Sequence, residues 1–366
     1  MTQKQKIHTY TFNDVGISYG PSVHFLELWN CFQDMYAEQY EVKGYYPSWT
    51  DKNIITKTSF LIQKIKVANI PLIRQVIIDF IFAFIIIKNR KDINYIRLSN
   101  FSFFLLLAIK LFQIKYYLEL NGIIAKDNLS FQKGKFYTLI SNFQEKFLIQ
   151  NAVACISVSD GITEFANSIH AKKVITLANG ISPDFFNIKQ KESITNDFVY
   201  VGTFTPWDGA IHIVDLAIKN PNIQFHMIGE GPFRKEVEQK APSNMKFYGY
   251  KLYDELKTTY QNFDGGIVLY PSARNDMKLS SLKTLEYVAS GLPVFTTSVP
   301  GQEFIDENQI GICTDIENAN ENFLLFLEKL STFKKNVNDF RMKNKSELSW
   351  ERVASHTENL IKTTSK

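Results

Sequence analysis

Strand-like and helix-like stretches alternate along the chain, which predicts an α/β protein with parallel sheets. In the first half, strands are predicted at residues 94–97, 115–120, 154–157 and 174–177. In the second half, they are predicted at 198–201, 224–228, 246–248, 266–269 and 293–296. Helical patterns cover about 23–40, 209–219, 253–262, 281–290 and the tail from about 320. The two halves therefore share one βα plan.

A polar segment, IKQKESITND at 188–197, has no apolar periodicity and predicts a linker between two domains. A length of 366 residues suits two domains. We therefore expect an N-terminal domain over 1–187 and a C-terminal domain over 188–366. The last helix is a candidate to pack back on the N-terminal domain.

Two apolar runs, FIFAFIII at 80–87 and FSFFLLLAI at 101–109, are each closed by cations. Neither reaches the roughly 18 residues of a membrane span, so they predict buried or interfacial helices. Residues 51–115 contain eleven Lys or Arg, three Asp and no Glu, whereas the whole chain carries only +4. This excess indicates an anionic partner, either a phospholipid surface or phosphates, with a solvated basic face as the alternative.

The rest of the composition narrows the class of protein. Hydrophobic residues make up 45% and charged residues 21%, which is typical of a globular protein. Cys31, Cys155 and Cys313 lie far apart without CxxC spacing, so neither a disulfide framework nor a zinc site is indicated. The first residues, MTQKQKIHTYTF, lack the apolar run of a signal peptide. We therefore expect a cytoplasmic protein.

The strongest candidate site is NDMKLSSLKTLEYVASGLP at 275–293, where a loop leads into a helix near Ser281. The amino end of a helix offers backbone N–H groups and a partial positive charge, which suit a diphosphate. Lys283 in the first turn opposes the helix dipole, a cost that a bound anion would offset. Glu286 is its neighbour on the helix surface and could accept hydrogen bonds from ribose hydroxyls. The alternative is a capped amphipathic helix with an ordinary Lys–Glu pair.

Two glycine-containing loops follow predicted strands. In YVGTFTPWDG, Gly202 and Thr203 form a turn where Gly202 would allow a phosphate to approach closely. In MIGEGP, Gly229 and Gly231 could leave bare backbone against a base or ribose. Tight strand-to-helix turns are the alternative for both loops.

In the first half, Gly20 precedes a helix that bears His24, while Arg97, Glu119 and Asn121 lie at predicted strand ends. Ligands of doubly wound sheets bind at the carboxyl ends of strands, so these polar groups are expected to face a cleft. For His24, a satisfied, partly buried histidine is the alternative. The acceptor-side candidates are Arg97, Asn121 and Asp160, the last of which opens a helix after Ser159.

Several competing chemistries lack their motifs. The sequence contains no GxxxxGK[ST], no GxGxxG after the first strand, no GxSxG, no HExxH and no Asp-x-Asp between strands. We therefore expect a diphosphate site that uses a helix amino end and a lysine, with no obligatory metal or other cofactor. No nucleic-acid partner is expected.

The run SLKTLEYVASGLPVF resembles the donor-site signature of GT-B glycosyltransferases of the family-four type. Further segments resemble this family in the same order: GPSVHFLELW, YIRLSNFSFFLLLAIKLFQIKYYLELNG, ISVSDGITEF, ANGISPDFF, YVGTFTPWDG, FHMIGEGP and LSWERVA. The resemblance covers nearly the whole chain. It implies two facing, doubly wound Rossmann-like domains with an interdomain cleft, the first binding the acceptor and the second the nucleotide sugar.

The resemblance also implies roles for single residues. Glu286 would hold the ribose, the helix amides at Ser281, Leu282 and Lys283 would hold the diphosphate, and Gly20 would approach the diphosphate from the opposite side. Two positions depart from the family pattern. Lys278, counted among the donor-side residues, replaces a frequent Glu near the transferred sugar, and Asp208 replaces a frequent Lys. A close variant, the exopolysaccharide glucuronosyltransferase type, shares the Ser-x-Lys helix start but inverts the anomeric centre, whereas we favour retention.

The expected reaction is hexosyl transfer from a nucleotide sugar to a hydroxyl of a lipid-linked or oligosaccharide acceptor in bacterial surface polysaccharide synthesis. Glu119 is the candidate group near the acceptor hydroxyl or anomeric centre, with His24 behind it. The basic, apolar segment would lie on the inner face of the cell membrane. A non-catalytic GT-B subunit is one alternative, because of Lys278. A sugar-nucleotide 2-epimerase is another, disfavoured because the donor half, before its last helix, has only His212 and His226.

Overall fold

The computed structural model describes residues 4–16, 20–49, 58–99, 102–124, 126, 128, 134–205, 208–271 and 281–364, without the side chains of 71 and 72. The chain forms two compact units. The first contains Met1–Ala178 and Trp350–Lys366, and the second contains Asn179–Ser349. The predicted boundary at 187/188 therefore falls inside the second unit, and the last helix belongs to the first.

The first unit is built on a parallel sheet of seven described strands in the order β3-β2-β1-β4-β5-β6-β7. These strands are β1 (Gln5–Tyr10), β2 (Tyr40–Ser48), β3 (Leu61–Lys66), β4 (Ile93–Arg97), β5 (Tyr117–Leu120), β6 (Ala154–Ser157) and β7 (Val174–Thr176). Its helices are α1 (Gly20–Tyr36), α2 (Pro71–Lys88), α3 (Phe103–Phe112), α4 (Lys135–Asn151) and α5 (Asp160–Ser168).

The second unit repeats this arrangement with six described parallel strands in the order β10-β9-β8-β11-β12-β13. They are β8 (Asp197–Val201), β9 (Gln224–Ile228), β10 (Met245–Gly249), β11 (Gly265–Val268), β12 (Val294–Thr297) and β13 (Gly311–Thr314). Its helices are α6 (Pro183–Phe186), α7 (Ala210–Lys219), α8 (Arg234–Lys240), α9 (Tyr253–Thr259), α10 (Leu282–Ala289), α11 (Phe304–Glu307), α12 (Ala319–Glu328) and α13 (Leu330–Lys343). Short 3₁₀ turns cover Tyr260–Asn262 and Ile316–Asn318.

The final helix, α14 (Trp350–Thr364), completes the first unit by packing along α1. Its buried face includes Trp350 and Val353, which join the aromatic core formed by Trp29 and Tyr95. Those two rings meet edge to face with centroids 4.8 Å apart. The Tyr117 hydroxyl adds a 2.8 Å hydrogen bond with Thr364. The C-terminal helix is thus part of the first core.

Both sheets reverse their strand order beside their first strand, between β1 and β4 and between β8 and β11. The loops that leave the two strands at such a switch point diverge, which opens a crevice outside their carboxyl ends. In the first unit these strands end at Tyr10 and Arg97, and in the second at Val201 and Val268. Two of the predicted site residues lie here, Arg97 as the last residue of β4 and Gly202 directly after β8.

The sequence pattern predicts most of these elements but misses β1, β2, β3 and β13. The strands at 154–157 and 224–228 have the predicted bounds, whereas the predicted helix at 23–40 ends at Tyr36 and gives way to β2. Strand β3 reads LIQKIK and is half exposed at the sheet edge, so it shows little apolar signal. The α/β class with two parallel sheets is confirmed.

The two apolar runs lie within α2 and α3, as far as the described residues extend. Each helix is buried on one side, as at Phe82 and Leu105, and exposed on another, as at Phe84 and Phe103. Asp79 links the two helices, because its carboxylate on α2 accepts hydrogen bonds from the backbone N–H groups of Phe104 and Leu105 on α3. No helix in the described parts of the chain has the length and apolar character needed to span a bilayer.

Candidate functional site

The amino end of α10 lies at the switch point of the second sheet. Ser281 caps this helix, because its Oγ accepts a hydrogen bond from the Thr284 N–H at 3.3 Å. The Tyr270 hydroxyl, two residues after β11, also hydrogen-bonds Ser281 Oγ. Leu282 is the first residue of the helix. The first turn of an α-helix presents N–H groups that have no acceptor within the helix, and this amino end is the predicted diphosphate seat.

Lys283 projects from the first turn of α10 into a pocket of aromatic and acidic groups. Its Nζ lies 2.6 Å from Asp208 Oδ1, and it sits 5.0 Å from the ring centroid of Tyr200 and 5.7 Å from that of Tyr270. Asp208 Oδ2 accepts a further hydrogen bond from Thr205 Oγ1 at 2.7 Å. The carboxylate of Asp208 therefore balances the charge that opposes the helix dipole.

Glu286 follows one turn later on the same helix and is only 5% exposed. Its Oε2 accepts a hydrogen bond of 3.1 Å from the Tyr260 hydroxyl. Tyr260 is fully buried, and its pKa lies well above the ordinary value because of burial and the nearby charge of Glu286. Tyr260 therefore stays protonated and fixes the orientation of the carboxylate that the sequence assigns to the ribose.

Gly229 and Gly231 pack against neighbouring backbone, whereas Gly202 packs against the side chains of Tyr200 and Lys283. A Cβ on Gly229, which has φ +129°, would lie 1.9 Å from the Gly202 carbonyl oxygen, and one on Gly231 would lie 2.7 Å from the Phe204 oxygen. The Gly202 N–H donates to the Ile228 oxygen at 3.0 Å, so this N–H is committed to the sheet. Gly202 accordingly contributes space beside Lys283, while Thr203 is exposed in the same loop.

The glycine at position 209 determines where Asp208 lies. Gly209 adopts φ +69° at the start of α7, and a Cβ there would lie 1.6 Å from the Leu269 carbonyl oxygen. This close approach draws the loop before α7 against the end of β11, which brings Asp208 to Lys283. Lys278, the predicted partner near the transferred sugar, lies outside the described residues.

In the first unit, the Glu119 carboxylate near the end of β5 contacts three of the predicted polar side chains. Its Oε1 lies 3.1 Å from His24 Nε2, 2.5 Å from Arg97 Nη1 and 2.6 Å from Asn121 Nδ2. Tyr95 donates its hydroxyl to Oε2 at 3.0 Å. Four predicted residues from α1, β4, β5 and the following turn therefore meet at one buried carboxylate.

Burial acts to raise the pKa of Glu119, which is only 2% exposed. The charges of His24 and Arg97, with hydrogen bonds from His24 and Asn121, outweigh burial and hold this pKa well below its usual range. Glu119 is therefore a permanent anion at neutral pH. Such a carboxylate is a weak proton acceptor, and the Arg97 guanidinium balances its charge.

The remaining first-unit candidates lie apart from this cluster. Gly20 is the first residue of α1, and a Cβ there would meet no described atom within 4 Å. Asp160 accepts a hydrogen bond of 2.8 Å from Thr176, which belongs to a hydroxyl chain with Thr163 and Ser157. Within the described parts of the chain, no three His, Cys, Asp or Glu side chains are grouped as a possible metal site.

Sequence reasoning misses the tyrosines that organise both clusters: Tyr95, Tyr200, Tyr260 and Tyr270. Three of them lie in or just after strands, at positions that alternation predicts as core. The hydroxyl groups of Tyr95, Tyr260 and Tyr270 form hydrogen bonds with partners elsewhere in the sequence. Tyr200 instead places its ring beside Lys283. The sequence identifies Asp208 as a departure from the family pattern but does not predict its ion pair with Lys283.

Two parallel sheets of the Rossmann order, each with polar groups at its switch point, define a GT-B glycosyltransferase fold. Residues 195–331 match the family model "Glycosyl transferases group 1", a stretch that includes β8, α7 and α10. The predicted GT-B fold is therefore confirmed, and the second unit resembles group 1 glycosyltransferases. No curated protein matches the chain in sequence.

Solved structures of similar fold cover the chain almost completely. Sucrose-phosphate synthase from Thermosynechococcus elongatus has a TM-score of 0.76 at 14% identity, covering 98% of this chain and 99% of its own. HepE from Anabaena, in complex with UDP, has 0.69 at 13% identity, covering 98% and 100%. A point mutant of S. aureus TarM, in complex with fondaparinux, α-GlcNAc-glycerol and UDP, has 0.69 at 11% identity, covering 97% and 99%.

Proposed function

We propose that this protein transfers a hexosyl group from a nucleotide-diphosphate sugar, held by the second unit, to a hydroxyl of a carbohydrate acceptor held by the first. The observation that carries the proposal is the amino end of α10, where Ser281, Lys283 and Glu286 lie at the switch point of the second sheet. Two fold neighbours are complexes with UDP, which supports a nucleotide-diphosphate donor.

The chemistry follows from the charge that develops on the leaving group. The bond between the anomeric carbon and the β-phosphate oxygen breaks, and the electron pair stays on the diphosphate. The amide groups of the first turn of α10 and the Lys283 ammonium would stabilise this anion, and preorganised donors of this kind are worth about 3 kcal/mol each in a transition state. We propose that this suffices without an obligatory divalent metal.

On the acceptor side, a new bond forms between the acceptor oxygen and the anomeric carbon, and the hydroxyl proton is released. The low pKa of Glu119 favours electrostatic stabilisation of the positive charge at the anomeric carbon over proton removal. His24 and Arg97, bonded to the same carboxylate oxygen, would keep it ionised and oriented. We favour retention of the anomeric configuration, as the family resemblance suggests.

We further propose that the acceptor is lipid-linked and that the first unit lies on an anionic membrane surface. Three neighbouring helices carry exposed apolar side chains at helical spacing, which we call the apolar stripes. They are Ile73, Ile77, Phe80 and Phe84 on α2, Phe103, Leu107 and Leu111 on α3, and Phe136, Leu139 and Phe143 on α4. No other described element exposes a comparable row of apolar side chains. Exposing so many of them to water is unfavourable, which supports an apolar partner for this surface.

Cations accompany the carboxyl ends of these helices. Exposed Lys88, Arg90 and Lys91 follow the stripe of α2, and exposed Lys110 and Lys115 follow that of α3. Each cation near an anionic leaflet contributes about 1 kcal/mol of attraction, and the apolar side chains add burial in the headgroup region. This pattern supports a peripheral position on the inner face of a bacterial cell membrane, in the synthesis of a surface polysaccharide.

The test is a transfer assay with the purified chain, a panel of nucleotide sugars, and vesicles of anionic lipid that carry polyprenyl-diphosphate-linked sugars. We expect release of one nucleoside diphosphate together with an extended lipid-linked glycan, unchanged by EDTA. Conversion of the nucleotide sugar to its C2 epimer, with no extended acceptor, would identify a 2-epimerase instead. Absence of any turnover, with donor binding intact, would identify a non-catalytic GT-B subunit.

A further inference from the structure

The cation at the donor site is already neutralised within the protein. Lys283 Nζ and Asp208 Oδ1 are 2.6 Å apart, and their side chains are only 16% and 13% exposed. Thr205 holds the second carboxylate oxygen, while Gly209 fixes the loop against β11. The anion is therefore a built part of the site at the amino end of α10.

This pairing has a consequence for any ligand at the same place. A leaving group that approaches Lys283 also approaches Asp208, and two anions a few ångströms apart repel strongly where solvent is partly excluded. The repulsion grows with the charge of the ligand, so it weakens the hold on a diphosphate more than on a monophosphate. The helix amide groups attract both ligands and do not cancel this difference.

We propose that Asp208 is a counter-charge that limits the affinity of the donor site for its nucleoside-diphosphate product and so promotes product release. The inference rests on the proposed function, since it assumes that the diphosphate binds beside Lys283. It assigns to Asp208 a direct electrostatic action on the ligand, in addition to its contact with Lys283. If Asp208 instead served only to position Lys283, its removal would weaken donor binding.

The experiment compares the full-length wild type with Asp208→Asn by calorimetric titration of UDP and UMP, or of the corresponding pair if a panel selects another base. We expect UDP to bind roughly tenfold more tightly to the variant and UMP to change less, so that the UDP/UMP discrimination rises. The affinity of the variant for UDP should also fall more steeply with salt. Under turnover, UDP should inhibit the variant more strongly.

The matched control is Asp215→Asn, which removes the same charge from an exposed position on α7 and should change neither affinity. Asp208→Ser serves as a second variant should the amide disturb folding. Unchanged or weakened UDP binding in a folded Asp208 variant would overturn the inference and leave the proposed function standing. A wild-type chain that binds no nucleotide of the panel would overturn both.

Discussion

At the residue scale, two buried carboxylates act in opposite ways. Glu119 accepts contacts from four side chains, and its charge is fixed by them. Glu286 takes a hydrogen bond from Tyr260, which orients it next to the helix start. The first carboxylate therefore supports the fold of its unit strongly, whereas the second is the one that we propose to bind the ribose.

Glu119→Gln should destabilise the protein in a pH-dependent way. The pKa of Glu119 is lower in the folded state than its unfolded value near 4.3, so its stabilising contribution is present above that pH and is lost as the pH falls further. At pH 7 we expect a loss of about 3 kcal/mol, because Arg97 and His24 lose their buried partner. Denaturant unfolding at pH 7 and below pH 4 measures this.

The control for this change is Glu38→Gln, an exposed carboxylate in the same unit that should alter stability by less than about 0.5 kcal/mol. A stability difference between wild type and Glu119→Gln that stays constant below pH 4 would show that the ion pairs do not account for the effect.

Gly20→Ala and Gly229→Ala should distinguish a glycine needed for ligand binding from one needed for folding. Gly229 has φ +129° and no room for a Cβ, so its replacement should lower the melting temperature by several degrees. At Gly20 a Cβ meets no described atom, so the melting temperature should hold while turnover falls if the diphosphate approaches this glycine. Thermal melts and initial rates check both, and full activity of folded Gly20→Ala would remove Gly20 from the donor site.

The sequence predicts residue types better than partners. Glu119, Asn121, Arg97 and His24 are identifiable because they lie at strand ends or near a helix start, and the sheet then brings them together. Asp208 and Lys283 are 75 positions apart in the chain, and only the close approach at Gly209 makes them a pair. Contacts of this range depend on packing, which periodicity does not encode.

At the element scale, α2, α3 and α4 are informative because each has two apolar faces. One face covers the sheet through residues such as Phe82, Leu105 and Leu148, and the other forms the apolar stripes. This is why the two apolar runs predict buried or interfacial helices from sequence without distinguishing the two. Strands β1 to β3 escape prediction for a related reason, since their aromatic and charged residues do not alternate cleanly.

Phe80→Glu with Phe84→Glu should abolish binding to vesicles that contain anionic lipid. Both side chains are mostly exposed, at 61% and 69%, so the change should leave the fold intact while placing two anions on the surface that we propose to face the bilayer. Vesicle flotation at low and high salt measures the effect. Ile218→Glu with Leu324→Glu alters two exposed apolar residues of the second unit, and equal loss of binding there would contradict a surface formed by the stripes.

At the scale of the whole molecule, both units have the same α/β plan but carry different polar groups near the switch point. The first unit places a buried anion with cationic partners there, and the second places a capped helix start with a neutralised lysine. The C-terminal helix α14 returns to the first unit, so the chain crosses between the two units twice. The overall plan is readable from the alternating pattern, but the distribution of charge between the two sites is not.

Hydrogen–deuterium exchange of the full-length chain, with and without UDP at 100 times its dissociation constant, tests the central claim most directly. At that concentration the ligand stabilises the protein by about 2.7 kcal/mol, enough to slow local opening. The account predicts slowed exchange in peptides that cover the first turn of α10 at 281–283 and the loop after β8, with no change in β2. Bound UDP that leaves the exchange of the first turn of α10 unaltered would contradict it.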